Sequence, residues 1–191
     1  MSTTVQQSLD LPVLDQDSAP AASADTLNQV QKAYGFLPNL IGTMASAPAL
    51  AEGYVTISGI FGKTSFSPTE QQIVLIAASV DNGCTYCVAA HSAIAGMQKV
   101  PADVIQALRD GTPIADPKLE ALRSLTHEVV TRLGRPSDEV VSNFLAAGYT
   151  SGQVLEVVLG VAQKVMSNYT NHLAETPLDD RFQPTAWSPA S

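Results

Sequence analysis

At 191 residues, 45% of them hydrophobic and 15% charged, the chain has the length and apolar content of one folded domain, which excludes global disorder and two full domains. Ten Lys plus Arg against 18 Asp plus Glu give a net charge of −8. That balance repels phosphates and acidic lipid heads, so neither nucleic acid nor a membrane is expected as a partner. The charged share is also low for a fully solvated exterior, which points to a homo-oligomer that buries part of its surface.

Residues 1–23 mix Ser, Thr, Asp, Ala and Pro without Lys or Arg, lacking the basic start of a secretory signal and the arginines of an organelle-targeting helix. They are read as a flexible N-terminal segment of a cytoplasmic protein. No apolar run, Ile73 to Val80 and Val154 to Val161 included, approaches the roughly 20 residues of a bilayer span. From Ala24 onward Pro and Gly separate helical patterns, and no alternating strand pattern persists, so an all-α fold of six to eight helices is expected over 24–181. The first helix runs from Ala24 to Tyr34 and ends at Gly35, and Pro38 opens a short segment toward Ala45. Pro48 to Gly59 follows, with Leu50, Tyr54 and Ile57 on one stripe.

Ser67-Pro68-Thr69-Glu70 is a helix start: Ser caps, Pro takes the first position where its missing N–H costs nothing, and Glu closes a capping box. The helix from Pro68 to about Val80 is apolar around most of its circumference, the mark of a buried central helix. Asp81-Asn82-Gly83 breaks it, with Asp81 or Asn82 expected to cap a helix running from Cys84 toward Gly96. Later helices are expected over Pro101–Leu108, Lys118–Arg132, Ser137–Ala147 and Ser151 to about Ala174. Residues 182–191 read as an irregular tail anchored by Trp187.

The two cysteines, Cys84 and Cys87, lie about one helical turn apart, near enough for an intramolecular disulfide, at a helix start whose free N–H groups favour a thiolate. His91 follows Cys87 by four residues and shares its face, where it can exchange a proton. Helix position favours ionisation of Cys84, and proximity to His91 favours Cys87. Zinc would need a fourth ligand beyond these three, and the remaining histidines, His127 and His172, have no metal-ligand spacing to them. His127 reads as structural, and His172 as a helix-end or interface residue. No dinucleotide, flavin or haem signature is present, so no cofactor is expected.

The stretch Ser67-Pro68-Thr69-Glu70-Gln71-Gln72-Ile73 with Asn82-Gly83-Cys84-Thr85-Tyr86-Cys87-Val88-Ala89-Ala90-His91 resembles the core of the alkylhydroperoxidase D (AhpD) and carboxymuconolactone decarboxylase superfamily. The likeness to its peroxidase-related branch extends from Leu37-Pro38-Asn39-Leu40 to Asn168-Tyr169-Thr170-Asn171-His172 and Thr176-Pro177-Leu178-Asp179. The resemblance implies an AhpD-like helical bundle, a homo-oligomer, and thiol-dependent reduction of a hydroperoxide substrate, with an external thiol or dithiol protein as reductant. It implies Cys87 as peroxidatic cysteine, Cys84 as resolving cysteine and His91 as a proton-relay member. The family's relay carboxylate falls on Gln72, an amide that hydrogen-bonds but does not exchange a proton near neutral pH, and Tyr86 stands where the peroxidases place a second His. Gln72 and Tyr86 are expected to line the site. Glu70 is a poor substitute, being two positions away and already committed to its cap. The alternatives are a non-catalytic redox sensor or oligomeric interaction protein, motivated by Gln72, and a decarboxylase or lactone-processing enzyme, disfavoured by the retained cysteine pair and by the lack of a Lys or Arg cluster around the motif.

Overall fold

The computed structural model describes Leu9 and residues 11–189; residues 1–8 and 10 of the expected flexible segment, and 190–191 of the tail, lie outside the described residues. The described residues are all helical or irregular: α1 Ala24–Tyr34, α2 Asn39–Met44, α3 Pro48–Phe61, α4 Pro68–Asp81, α5 Thr85–Met97, α6 Ala102–Asp110, α7 Pro117–Thr131, α8 Asp138–Ala146 and α9 Ser151–Ala174. Short 3-10 turns at Ala21–Ser23 and Asp180–Thr185 complete them. The nine α-helices exceed the expected six to eight through such short segments as the six-residue α2. No single described helix is long and apolar enough to cross a membrane.

Local chemistry sets most boundaries. Ser67 and Glu70 form the predicted capping box on α4, and Thr150 with Gln153 forms another on α9. Glu70 is engaged further by Lys118, 3.4 Å away. Gly35 ends α1 with φ +73°, a left-handed conformation that glycine adopts without Cβ strain.

Helix α4 is the axis of the bundle. Ile73, Val74, Ile76 and Ala78 are fully buried, and α4 packs against α5, α6, α7 and α9. Each such Ile or Val contributes roughly 1.5–3 kcal/mol relative to exposure. A first apolar cluster joins α4 to α6, α7, α8 and the start of α9. A second gathers α1, α2, the first half of α3, the first half of α5 and Phe182, and the cysteines lie in it.

The break between α4 and α5 differs from expectation in one respect. Cys84, rather than Asp81 or Asn82, occupies the N-cap of α5, and it makes no side-chain cap. Gly83, at φ +67°, turns the chain before the helix can start, so Asp81 and Asn82 belong to the end of α4. Their side chains bind elsewhere, Asp81 to His127 at 2.8 Å and Asn82 to Asn168 at 2.9 Å.

The C-terminal segment is partly ordered rather than irregular throughout. Phe182, in the 3-10 turn, is buried and meets Phe36 and Tyr86 edge-on. Trp187 Nε1 donates to the Arg109 carbonyl at 2.8 Å, the anchor expected of it, and Arg109 in turn donates to the carbonyls of Thr185 and Ala186.

Candidate active site

Cys84 and Cys87 are both free thiols and both buried. Asn171, reaching in from α9, donates its Nδ2 to Cys87 Sγ at 3.2 Å and to Cys84 Sγ at 3.6 Å, holding the two sulfurs toward one another. They open in different directions. Cys87 lines a cavity of about 830 Å³ shared with Gln72, Tyr86, His91 and Lys164. Cys84 lines a smaller cleft of about 330 Å³ with Asn171, His172 and Glu175.

A hydrogen-bonded chain crosses the floor of the larger cavity. Lys164 Nζ stands 3.0 Å from His91 Nε2, His91 Nδ1 stands 3.0 Å from Gln72 Oε1, and Gln72 Nε2 donates to Gln98 Oε1 at 3.1 Å. An ammonium only donates, so Nε2 is the acceptor and Nδ1–H donates to the amide oxygen. Burial and then the Lys164 charge hold the His91 imidazole well below its ordinary pKa. His91 is therefore a neutral imidazole at pH 7.

Lys164 has no solvent exposure, and a buried ammonium is costly without a counter-charge. The ion pairs among the described residues are Lys118–Glu70, Arg123–Glu120, His127–Asp81 and Arg132–Glu128; none involves Lys164. Its compensation is Cys87. Burial opposes ionisation of the Cys87 thiol, but the Cys84 hydrogen bond, the Lys164 charge, and Ser167 and Asn168 outweigh it and hold the thiol well below its usual range. Cys84 is pushed up by its hydrogen bond to Cys87 and by burial. Burial likewise opposes the Lys164 ammonium, and the negative charge of Cys87 holds it above its ordinary value. The electrostatics thus favour the Cys87 thiolate and the Lys164 ammonium together, and of the two cysteines they lower Cys87 and raise Cys84.

Of the predicted site residues, Cys87, His91 and Gln72 line the large cavity, and Cys84 adjoins Cys87 through Asn171 while lining the smaller cleft. Tyr86 lines the cavity too, but its hydroxyl is engaged, donating to Asp179 and accepting from the Leu40 N–H. Asp179 also accepts from the Asn39 N–H at 3.1 Å, so this cluster ties the C-terminal segment and α2 to α5. His127 is away from the thiols, paired with Asp81, and His172 borders only the Cys84 cleft. Among the described residues no three His, Cys, Asp or Glu side chains gather as metal ligands do.

The expectation that no Lys or Arg cluster surrounds the motif is corrected. Lys164 and Arg181 both line the large cavity, and among the described residues no Asp or Glu does. Lys164 is 77 positions from Cys87 in sequence, and only the packing of α9 across α5 brings them together. Lys164, Ser167, Asn168 and Asn171, one helical face at i, i+3, i+4 and i+7, are all buried. A polar stripe of that period on an otherwise apolar helix was the available signal.

The carboxymuconolactone decarboxylase family profile matches residues 48–128, which include both cysteines and His91. No curated protein matches the chain significantly. Among solved structures, an uncharacterized peroxidase-related protein with an AhpD core from Ralstonia eutropha JMP134 aligns with 22% identity over 90% of this chain and 92% of its own, at a TM-score of 0.78. The debrominase Bmp8, as a cysteine-to-alanine variant in complex with 2,3,4-tribromopyrrole, aligns with 19% identity over 93% and 95%, also at 0.78. A peroxidase-related protein from Silicibacter sp. TM1040 aligns with 15% identity over 95% and 97%, at 0.73. The chain is thus similar to the carboxymuconolactone decarboxylase family over 48–128, the stretch that carries both cysteines and His91, and shares an all-helical fold with these solved structures.

Proposed function

We propose that the protein is a thiol-dependent oxidoreductase that reduces organic hydroperoxides through Cys84 and Cys87. The observation that carries this reading is the pair of buried thiols bridged by Asn171, with Cys87 and Lys164 both lining a cavity of apolar and aromatic side chains, among them Phe36, Leu40, Tyr54 and Phe61. A cavity of about 830 Å³ is far larger than hydrogen peroxide requires and suits an organic peroxide. The Cys87 thiolate attacks the terminal peroxide oxygen, the O–O bond breaks, and an alcohol and a Cys87 sulfenic acid result. Cys84 then displaces hydroxide from that sulfur, giving the disulfide and water. An external thiol or dithiol protein, entering at the Cys84 cleft, restores both thiols.

Self-association is part of the same proposal. Leu155, Val158, Val165, Tyr169 and Leu173 are exposed and follow a helical repeat along the outer face of α9, an apolar stripe suited to a second copy of this chain.

The test is steady-state consumption of cumene hydroperoxide with dithiothreitol as reductant. Wild-type protein is expected to turn over and Cys87→Ser to lose turnover; equal rates in the two overturn the reading. Oxidation of the thiols without turnover would favour the redox-sensor alternative. The lactone or decarboxylase reading draws support from one observation, the presence of Lys164 and Arg181 and the absence, among the described residues, of carboxylates in the cavity lining. That chemistry would survive Cys87→Ser.

A further inference from the structure

We propose that Lys164 is the acid of the peroxide-reduction step and that its charge is tied to the redox state of the cysteines: an ammonium while Cys87 is a thiolate, a neutral amine once the disulfide has formed. This rests on the dithiol reading above. It follows from what surrounds the ammonium. Lys164 is fully buried and belongs to none of the carboxylate ion pairs among the described residues. The titratable groups that face it are Cys87, Cys84 and His91 from α5 and the Tyr54 phenol from α3. His91 is a neutral acceptor whose other nitrogen is taken by the Gln72 amide. The countercharge is therefore the thiolate, and oxidation removes it.

The proton balance of the cycle closes on Lys164. Cys87–S⁻, ROOH and Lys164–NH₃⁺ give Cys87–SOH, ROH and Lys164–NH₂: sulfur gains oxygen, the O–O bond breaks, and the departing alkoxide takes the ammonium proton. In the second step Cys84–SH attacks the sulfenic sulfur, and the displaced hydroxide leaves as water with the Cys84 proton. Lys164 relays that proton and ends as the amine, the form that burial favours. Reduction by an external dithiol returns two protons, one to Cys84 and one to Lys164. The Gln72 amide fits this scheme, since a carboxylate there would offer the ammonium a countercharge that persists after oxidation.

The test is the thiol–disulfide equilibrium of the intact protein in glutathione redox buffers between pH 6 and 7.5, where glutathione, with an ordinary thiol pKa of about 8.5, stays protonated. Thiolate absorbance near 240 nm of the reduced protein is followed over the same range. For wild type, one thiolate per chain and an exchange constant independent of pH are expected, because two protons pass to the protein and two leave glutathione. A thiolate accompanied by a tenfold change in the constant per pH unit would overturn the proposal, since Lys164 would then keep its charge in the disulfide. So would the lack of a thiolate. Lys164→Arg, which cannot deprotonate, is expected to keep the thiolate, to show the tenfold-per-unit dependence, and to slow the peroxide step. Lys164→Met is expected to lose the thiolate absorbance at pH 7; an unchanged thiolate in Lys164→Met overturns the pairing. If Met does not fold, the wild-type and Arg constants decide alone. Failure of wild type to form a reversible Cys84–Cys87 disulfide counts against the dithiol reading itself and is distinct from each of these results.

Discussion

The ammonium of Lys164 lies 3.0 Å from Nε2 of His91, which makes the histidine an acceptor there and keeps it neutral. Its folded-state pKa is depressed by burial and by Lys164, whereas in the unfolded chain it returns to about 6.5. The unfolded state therefore binds more protons at acid pH, and stability present above pH 6.5 is lost as pH falls from there toward the folded-state value. Denaturant titrations of the reduced protein between pH 5 and 7.5 are expected to show this slope below pH 6.5 on top of the one-proton slope that the Cys87 thiolate contributes throughout, and His91→Gln is expected to lose only the added part. An equal slope in both would contradict the assignment.

Gln72→Glu keeps the acceptor for His91 Nδ1–H and adds a negative charge at that oxygen, 3.0 Å from the ring, while removing the donor to Gln98. An adjacent carboxylate favours the imidazolium, so the His91 pKa is expected to rise toward or beyond its ordinary value. NMR titration of the His91 ring measures this directly. The pH profile of peroxide turnover is expected to gain a step at the same pH; an unmoved ring resonance and an unchanged profile would contradict the hydrogen-bonded chain.

The helices were legible because their signals are local. Ser67, Pro68 and Glu70 announce α4, Gly35 ends α1, and the Cys84-to-His91 spacing is read along one helix. Gly83 was harder to interpret: its left-handed turn moved the N-cap from Asp81 or Asn82 to Cys84. Lys164 and Asn171 were hidden for a different reason. Their roles arise from α9 crossing α5, and a lysine in a helical segment is ordinarily a solvated residue. Only the periodic set Lys164, Ser167, Asn168 and Asn171, read as one face, hinted that polar groups turn inward. Likewise, Phe182 joined the core through contacts with Phe36 and Tyr86 that no local pattern encodes.

Gly160 is where α9 approaches α3 and α4 most closely. A Cβ there would stand 2.7 Å from Phe61 Cε2 and 2.7 Å from Val74 Cγ1, and both side chains are buried. Overpacking of this kind costs about 1–3 kcal/mol, set against a helix-propensity gain of about 1 kcal/mol for Ala over Gly. Gly160→Ala is expected to destabilise by up to about 2 kcal/mol, lowering Tm by about 2–4 °C per kcal/mol at this size. An unchanged or higher Tm would contradict the packing described for α9.

The apolar stripe on α9 carries a separate expectation. Leu155 is 71% exposed and Leu173 59%, so charging them leaves the fold of the chain intact. Sedimentation velocity is expected to show an oligomer for wild type and a smaller species for Leu155→Lys combined with Leu173→Lys. A monomeric wild type, or an oligomer unaffected by the double change, would contradict assembly through this face.

The central claim is that Cys87, paired with Lys164, is the sulfur that meets peroxide, and the most direct measurement is made on Cys84→Ser, where the oxidised intermediate cannot be resolved. After one equivalent of cumene hydroperoxide, mass analysis with a sulfenic-acid trap is expected to place one oxygen on Cys87. Cys87→Ser under the same conditions is expected to leave Cys84, whose pKa is raised, largely unoxidised. Preferential oxidation of Cys84 in Cys87→Ser, with Cys87 inert in Cys84→Ser, would contradict the account.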